Sequence, residues 1–316
     1  MTDFSPTSTT PNSTLPWNFS RARLTRFHTK MLTRATKNFL TFGYYTMGYD
    51  ANPKTDPLAQ LIGITAIPSK ATVISYSAVV SFAVFGLSYI VSFNSATYRS
   101  LKTKEKVFWC LAFARALFGV FCTFASCWYI FVDPTLFEDV ILASTLSSHF
   151  IVDVVVGFFI FECIAFFSSN IIFREFDMAL AAHHLLSLFG YGIVVYSEKT
   201  HFFSTISILD EMTTPFSCVC WILIKAKLAD TYVWKINQII LVHLFHCRTL
   251  LEGYLFLMSY RQWDNVITNM PWFNFIVLYV FLTLQLFILT PYWTYKKTKQ
   301  LFKPEDWNHS EEKKKK

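Results

Sequence analysis

Charged residues are scarce in this sequence. Asp, Glu, Lys and Arg make up 16% of its 316 residues, against about 25% in an ordinary soluble domain. Hydrophobic residues reach 53% and the mean hydropathy is +0.37. The sequence also lacks a Gly-rich phosphate loop, a zinc motif, a long heptad repeat and any soluble domain between its apolar runs. Those absences remove the nucleotide-binding, zinc-finger and coiled-coil classes. No secretory signal is expected at the start, because residues 1–20 are rich in Ser, Thr and Pro and have no apolar core. The loops carry no cysteine, and all seven cysteines fall in or beside apolar runs. No disulfide framework is therefore expected. Cys218-Val219-Cys220 sits on an apolar helix and reads as packing rather than a metal or redox site.

Long apolar runs are what the sequence has in quantity. A run of about 18–20 apolar residues can cross a bilayer as a helix. Seven are present, near 71–93, 107–132, 147–170, 178–197, 202–226, 236–260 and 272–295. The expected fold is an all-α integral membrane bundle over 71–295. Residues 1–70 form a basic leader, read as largely disordered and luminal, and 296–316 a charged cytosolic tail. Lys and Arg in short loops set the orientation. Loops one, three and five and the tail carry most of them, among them Arg99, Lys102, Lys104, Lys106, Arg174, Lys225, Lys227 and Lys235. That end is expected to face the cytosol. The sequons at Asn12 and Asn18 suit a luminal leader. The tail ends in EEKKKK, with Lys313 and Lys314 at the spacing of a dilysine retrieval signal, an address read by retrograde coat proteins.

Ionisable groups within the spans are the candidate site. They are Arg115, Asp153 and Glu162, the pair His183-His184 in the run "AAHHLLSLF", Asp210 and Glu211, and His243, His246, Arg248 and Glu252. A charge at mid-bilayer costs several kcal/mol unless paired or wet. Buried ion pairs, Arg115 with Glu162 and Arg248 with Glu211, are one reading. The histidines support another. Adjacent helical residues point about 100° apart, so the two rings face different neighbours. An imidazole beside a carboxylate can serve as general base or nucleophile. On that reading His183 is the nucleophile or base, and His184 and Glu211 orient it. Arg115, Glu162, Asp210 and Arg248 would line the substrate site, with the arginines holding anionic groups. The His pair lacks metal-ligand spacing, so no bound metal is expected.

The segments FREFDMALAAHHLLSLFGY (173–191) and SILDEMTTPFSCVCWILIKA (207–226) resemble the TLC-domain membrane proteins, which include the ceramide synthases. SATYRSLKTKEKVFW (95–109) and LTPYWTYKKTKQLFKPEDWN (289–308) narrow the likeness to one branch. It covers about residues 94–308. The resemblance implies six helices around a central lipid cavity with one helix in front. It also implies that His183 and His184 match the essential pair, with Glu162, Glu211 and Arg248 at matching positions. Thr214 stands where ceramide synthases carry a second aspartate.

The resemblance and the residues together lead to a lipid acyltransferase of the endoplasmic reticulum, with acyl-CoA as co-substrate and no tightly bound cofactor. Thr214 favours an acceptor such as a lysophospholipid, lysophosphatidylglycerol for example, over a sphingoid base. The alternatives are a cargo receptor and a non-catalytic lipid sensor. The receptor would cycle through the ER–Golgi intermediate compartment and export luminal lysosomal enzymes. Expected partners are membrane lipids, acyl-CoA, coat proteins at the tail and those enzymes. A homodimer is compatible with the sequence, and nucleic acid is not expected.

Overall fold

The structure is a computed structural model that describes residues 56–63 and 69–304, all within one unit of the chain, Tyr49–Lys316. The leader apart from 56–63 and 69–70, its sequons and the Lys313-Lys314 signal lie outside the described residues. Among the described residues seven helices are long and apolar enough to cross a membrane: Lys70–Ser92, Thr103–Phe131, Leu146–Phe173, Met178–Ser197, His201–Lys225, Tyr232–Arg261 and Trp272–Phe302. They are called the first to seventh spans below. Each coincides with one expected apolar run.

Caps set most of the starts. Ser69 accepts from the Thr72 amide, Thr145 from Ser148, Asp177 from Leu180 and Thr231 from Trp234, each satisfying an amide that the helix leaves free. The second and sixth spans begin four residues earlier than their apolar runs, with first turns TKEK and YVWK that each carry lysine. The seventh runs on to Phe302, into residues read as tail, and stops before Pro304, where Lys303 turns extended.

Two spans are broken, and both breaks precede or contain a proline. The fifth passes from an α-helix (His201–Ser207) through a 3-10 turn (Ile208–Met212) to an α-helix (Thr213–Lys225). Pro215 has no N–H for the Glu211 carbonyl, and its ring crowds that oxygen. Gly119 on the second span makes room for the break. A Cβ there would sit 2.7 Å from Pro215 Cδ and 2.8 Å from the Glu211 carbonyl oxygen. The seventh span carries a π-turn at Gln285–Leu289 just before Pro291.

The loops gather at two ends. Lys104 pairs with Glu175 and Lys225 with Glu105, which joins loops one, three and five. At the other end Thr200 donates to the Ile141 carbonyl (2.8 Å), Asn265 to Asp139 (3.0 Å) and Lys70 to Glu198. Partial burial works to raise the Asp139 carboxyl, but hydrogen bonds from Asn265, Ile141 and Leu142 prevail and hold it below its usual range. The core between the ends is built chiefly from the second, third and fifth spans, joined by Tyr191 and Val194 of the fourth, Leu255 of the sixth and Leu282 of the seventh. Within it Phe118 and Phe158 stack at 3.6 Å.

Candidate functional site

Five spans, the second to the sixth, deliver the ionisable residues of the bundle interior, and the 3-10 turn in the fifth decides how they meet. Glu162 on the third span is 0% exposed. It accepts Arg115 Nε at 2.9 Å and also Arg115 Nη2. His184 Nε2 lies 3.3 Å from the same Glu162 oxygen, but off the hydrogen-bonding direction, since neither ring nitrogen makes a hydrogen bond. His183 turns the other way. Its Nε2 is 3.5 Å from Glu211 Oε1, at the outer edge of hydrogen-bond reach. Its Nδ1 is buried with no hydrogen-bond partner. Both rings are sealed, at 7% and 6% exposure for His183 and His184.

Thr214 donates to Glu211 Oε2 at 2.6 Å. The threonine therefore fixes the carboxylate that faces His183, and leaves one acid fewer at that point than a second aspartate would. Trp293, set just beyond the π-turn of the seventh span, stands 5.5 Å from the His183 ring and 5.4 Å from the Arg248 guanidinium. Phe159 touches both imidazoles, at 6.2 and 6.1 Å between ring centres.

One expected pair is corrected. Arg248 does not pair with Glu211. Its Nε lies 3.2 Å from Glu252 Oε1 and 3.7 Å from Asp210 Oδ1, and its Nη1 donates to the Asp210 carbonyl at 3.4 Å. Glu252 is four residues on along the same helix, so it shares a face with Arg248, and Thr290 holds it from the seventh span at 2.6 Å. Neither arginine is therefore free for an anionic ligand, as the catalytic reading required: each already faces a carboxylate. The Arg115–Glu162 pair forms as expected. His184 faces Glu162 rather than aligning His183.

Thr290 and Trp293 belong to this centre although the sequence reading left them out of it, and Glu252, counted there only among the ionisable groups of the spans, had been given no role in it. Glu252 had a signal, the i,i+4 spacing to Arg248. Thr290 and Trp293 had none. The centre holds four carboxylates (Glu162, Asp210, Glu211, Glu252) against two guanidiniums.

His243 and His246 are elsewhere. Each donates Nδ1–H to the carbonyl four residues back, Ile239 and Val242, both at 2.8 Å, and both residues are exposed. Asp153 is buried near the loop-two end, where the His149 and His201 rings lie 3.9 Å apart, tilted by 41°. All seven cysteines are free, and Cys220 donates to Gln238 Oε1 at 2.9 Å. Among the described residues no group of three or more His, Cys, Asp or Glu stands close enough to hold a metal ion.

Two cavities stand out among the described residues, and neither is lined by the His pair. One of about 50 Å³ lies between the fourth, fifth and seventh spans. The other, about 570 Å³, lies between the first three.

A seven-span all-α bundle with a buried His pair facing carboxylates defines a class of integral membrane protein. The family model of the TLC domain matches residues 70–299, and the chain belongs to that family. Protein CLN8 of Homo sapiens is 40% identical over 218 residues, which is 69% of this chain and 76% of that protein. Protein CLN8 of Mus musculus is 40% identical over 219 residues, with the same coverage. TLC domain-containing protein 2 of Danio rerio is 25% identical over 109 residues, 34% of this chain and 44% of that one. The chain is thus a TLC-domain protein close to CLN8. This agrees with the narrower likeness of 95–109 and 289–308, which points to the neuronal ceroid lipofuscinosis type 8 protein of vertebrates. No solved structure matches.

Proposed function

We propose that this protein is an acyl-CoA-dependent lipid acyltransferase of the endoplasmic-reticulum membrane, working at His183. The observation that carries the reading is the dyad of His183 and Glu211, 3.5 Å apart, with His183 Nδ1 buried and unpartnered. Glu211 facing Nε2 favours the proton on that nitrogen and leaves the lone pair on Nδ1. Nδ1 attacks the thioester carbonyl, the C–S bond breaks, and CoA leaves as thiolate. The acceptor hydroxyl then attacks the acyl-imidazole, the C–N bond breaks, and the hydroxyl proton ends on the CoA thiol. Acyl-CoA and alcohol become ester and free CoA. A sphingoid amine would react in the same way to give an amide.

His183 lies five residues inside the fourth span from Met178, about 8 Å of helix from its start. That is the end where the basic loops meet. The positive field there would draw in the CoA phosphates. Incubation with palmitoyl-CoA should give a species heavier by one palmitoyl group in intact-mass spectrometry. It should also give an acylated product from a panel of lysophospholipids and sphingoid bases. An unchanged mass with no product from any acceptor sinks the acyltransferase reading.

Lys313 and Lys314 carry a second reading, in which the protein cycles between the reticulum and the Golgi and exports luminal lysosomal enzymes. Changing Lys313–Lys316 to Ser should move the protein out of the reticulum, seen by microscopy, with its abundance kept. If location does not change, the lysines are an ordinary charged tail and the retrieval reading fails.

A further inference from the structure

The larger cavity lies outside the histidine centre, and the reason it exists is local. At its start the first span is clamped to the third. Ser77 donates to the Val154 carbonyl at 2.6 Å, and Gly157 brings the backbones so close that a Cβ would lie 2.3 Å from the Ile74 carbonyl oxygen. At its end the first span is clamped to the second, where Trp109 Nε1 donates to Ser92 at 2.9 Å. Between the two clamps it crosses from one neighbour to the other. A wedge of about 570 Å³ remains, walled by Val80 and Val84 on one side and Leu117, Phe118, Phe121 and Phe158 on the others.

The wedge opens sideways, since Val80 is 56% and Leu117 59% exposed. Both sit within spans, so the opening faces lipid chains rather than water. The lining has no charged side chain, and its Ser77 and Ser81 hydroxyls are spent on the Val154 and Ser77 carbonyls. A free fatty acid would bring a carboxylate with no cation in the lining to meet it. Benzene fills a cavity of about 150 Å³, or roughly 25 Å³ per carbon, so this one takes about 20 carbons. The Phe118–Phe158 stack closes its inner wall, and Phe159, next along the third span, touches the imidazoles.

We propose that this wedge is a binding site for one acyl chain of a membrane phospholipid, held between the first span and the second and third. The head group remains at the membrane surface. The site is separate from the acyl-transfer centre, and it stands or falls without it.

The test uses the full-length protein in nanodiscs containing a phosphatidylcholine with a diazirine in mid-chain. After photolysis, label is mapped by peptide sequencing. Label at residues 76–84 and 114–121 should exceed that around Leu250, an ordinary lipid-facing position 74% exposed, by about tenfold, equivalent to roughly 1.4 kcal/mol of preference over bulk lipid. Val80→Trp and, separately, Val84→Trp should fill the wedge and bring the label down to the Leu250 level. Equal label at the wedge and at Leu250 in the unaltered protein overturns the proposal, whatever the variants do. So does undiminished label in both variants when they are folded. Parallel arms use diazirine-bearing palmitic acid and a photoactivatable sterol. Stronger wedge labelling by either one overturns the phospholipid assignment.

Discussion

Glu162→Ala is expected to destabilise the folded bundle by about 3–5 kcal/mol, the cost of leaving a buried charge without its partner. Glu162 is fully buried and takes two N–H groups of Arg115 on one oxygen. Arg115 is nearly as sealed, with its guanidinium 5.2 Å from the centre of the Phe108 ring. Among the described residues no second carboxylate lies at ion-pair distance from Arg115. A double change, Glu162→Leu with Arg115→Met, removes both charges and keeps most of the volume, so it should recover much of the loss. Unfolding of the purified proteins in detergent measures both. If the single change leaves stability at the level of the unaltered protein, Arg115 is hydrated and available to an anionic ligand after all.

The spans were legible because each is a long apolar run, and hydrophobic length is a one-dimensional property. The candidate centre was legible only in part. That Arg115 meets Glu162 followed from Arg115 being the one charge in the second apolar run and Glu162 one of two acids in the third. The partner of Arg248 did not follow. Asp210 and Glu211 are adjacent and point about 100° apart, so either could face the sixth span. The choice is made by the 3-10 turn that Pro215 and Gly119 allow, which sends Asp210 to Arg248 and Glu211 to His183. A change of helix type over five residues leaves no trace in hydrophobic periodicity. Trp293 is similar, because its direction depends on the π-turn ahead of it. His149 and His201 come together only through packing of the third span on the fifth.

Glu211→Gln now separates catalysis from scaffolding more sharply than the sequence alone allowed. Because Arg248 is held by Glu252 and Asp210, losing the Glu211 charge strands no arginine. The amide keeps the shape and can still accept from Thr214. Thermal stability should stay near that of the unaltered protein. Turnover should not. In the acyl-transfer reading Glu211 fixes the His183 tautomer and stabilises the charged ring, and losing such a carboxylate has cost about 10⁴-fold in a well-studied triad. His183→Ala should lose turnover at least as fully and form no acylated species. It should also lose stability by about 2–5 kcal/mol, since a ring packed against Trp293 and Phe159 is removed. His184→Ala is the contrast. That ring faces Glu162, so its loss should act on stability and leave a larger share of turnover. A stable Glu211→Gln protein with full turnover would show that the dyad is not chemical. Full turnover in His183→Ala as well would take the acyl-transfer site away from this histidine pair.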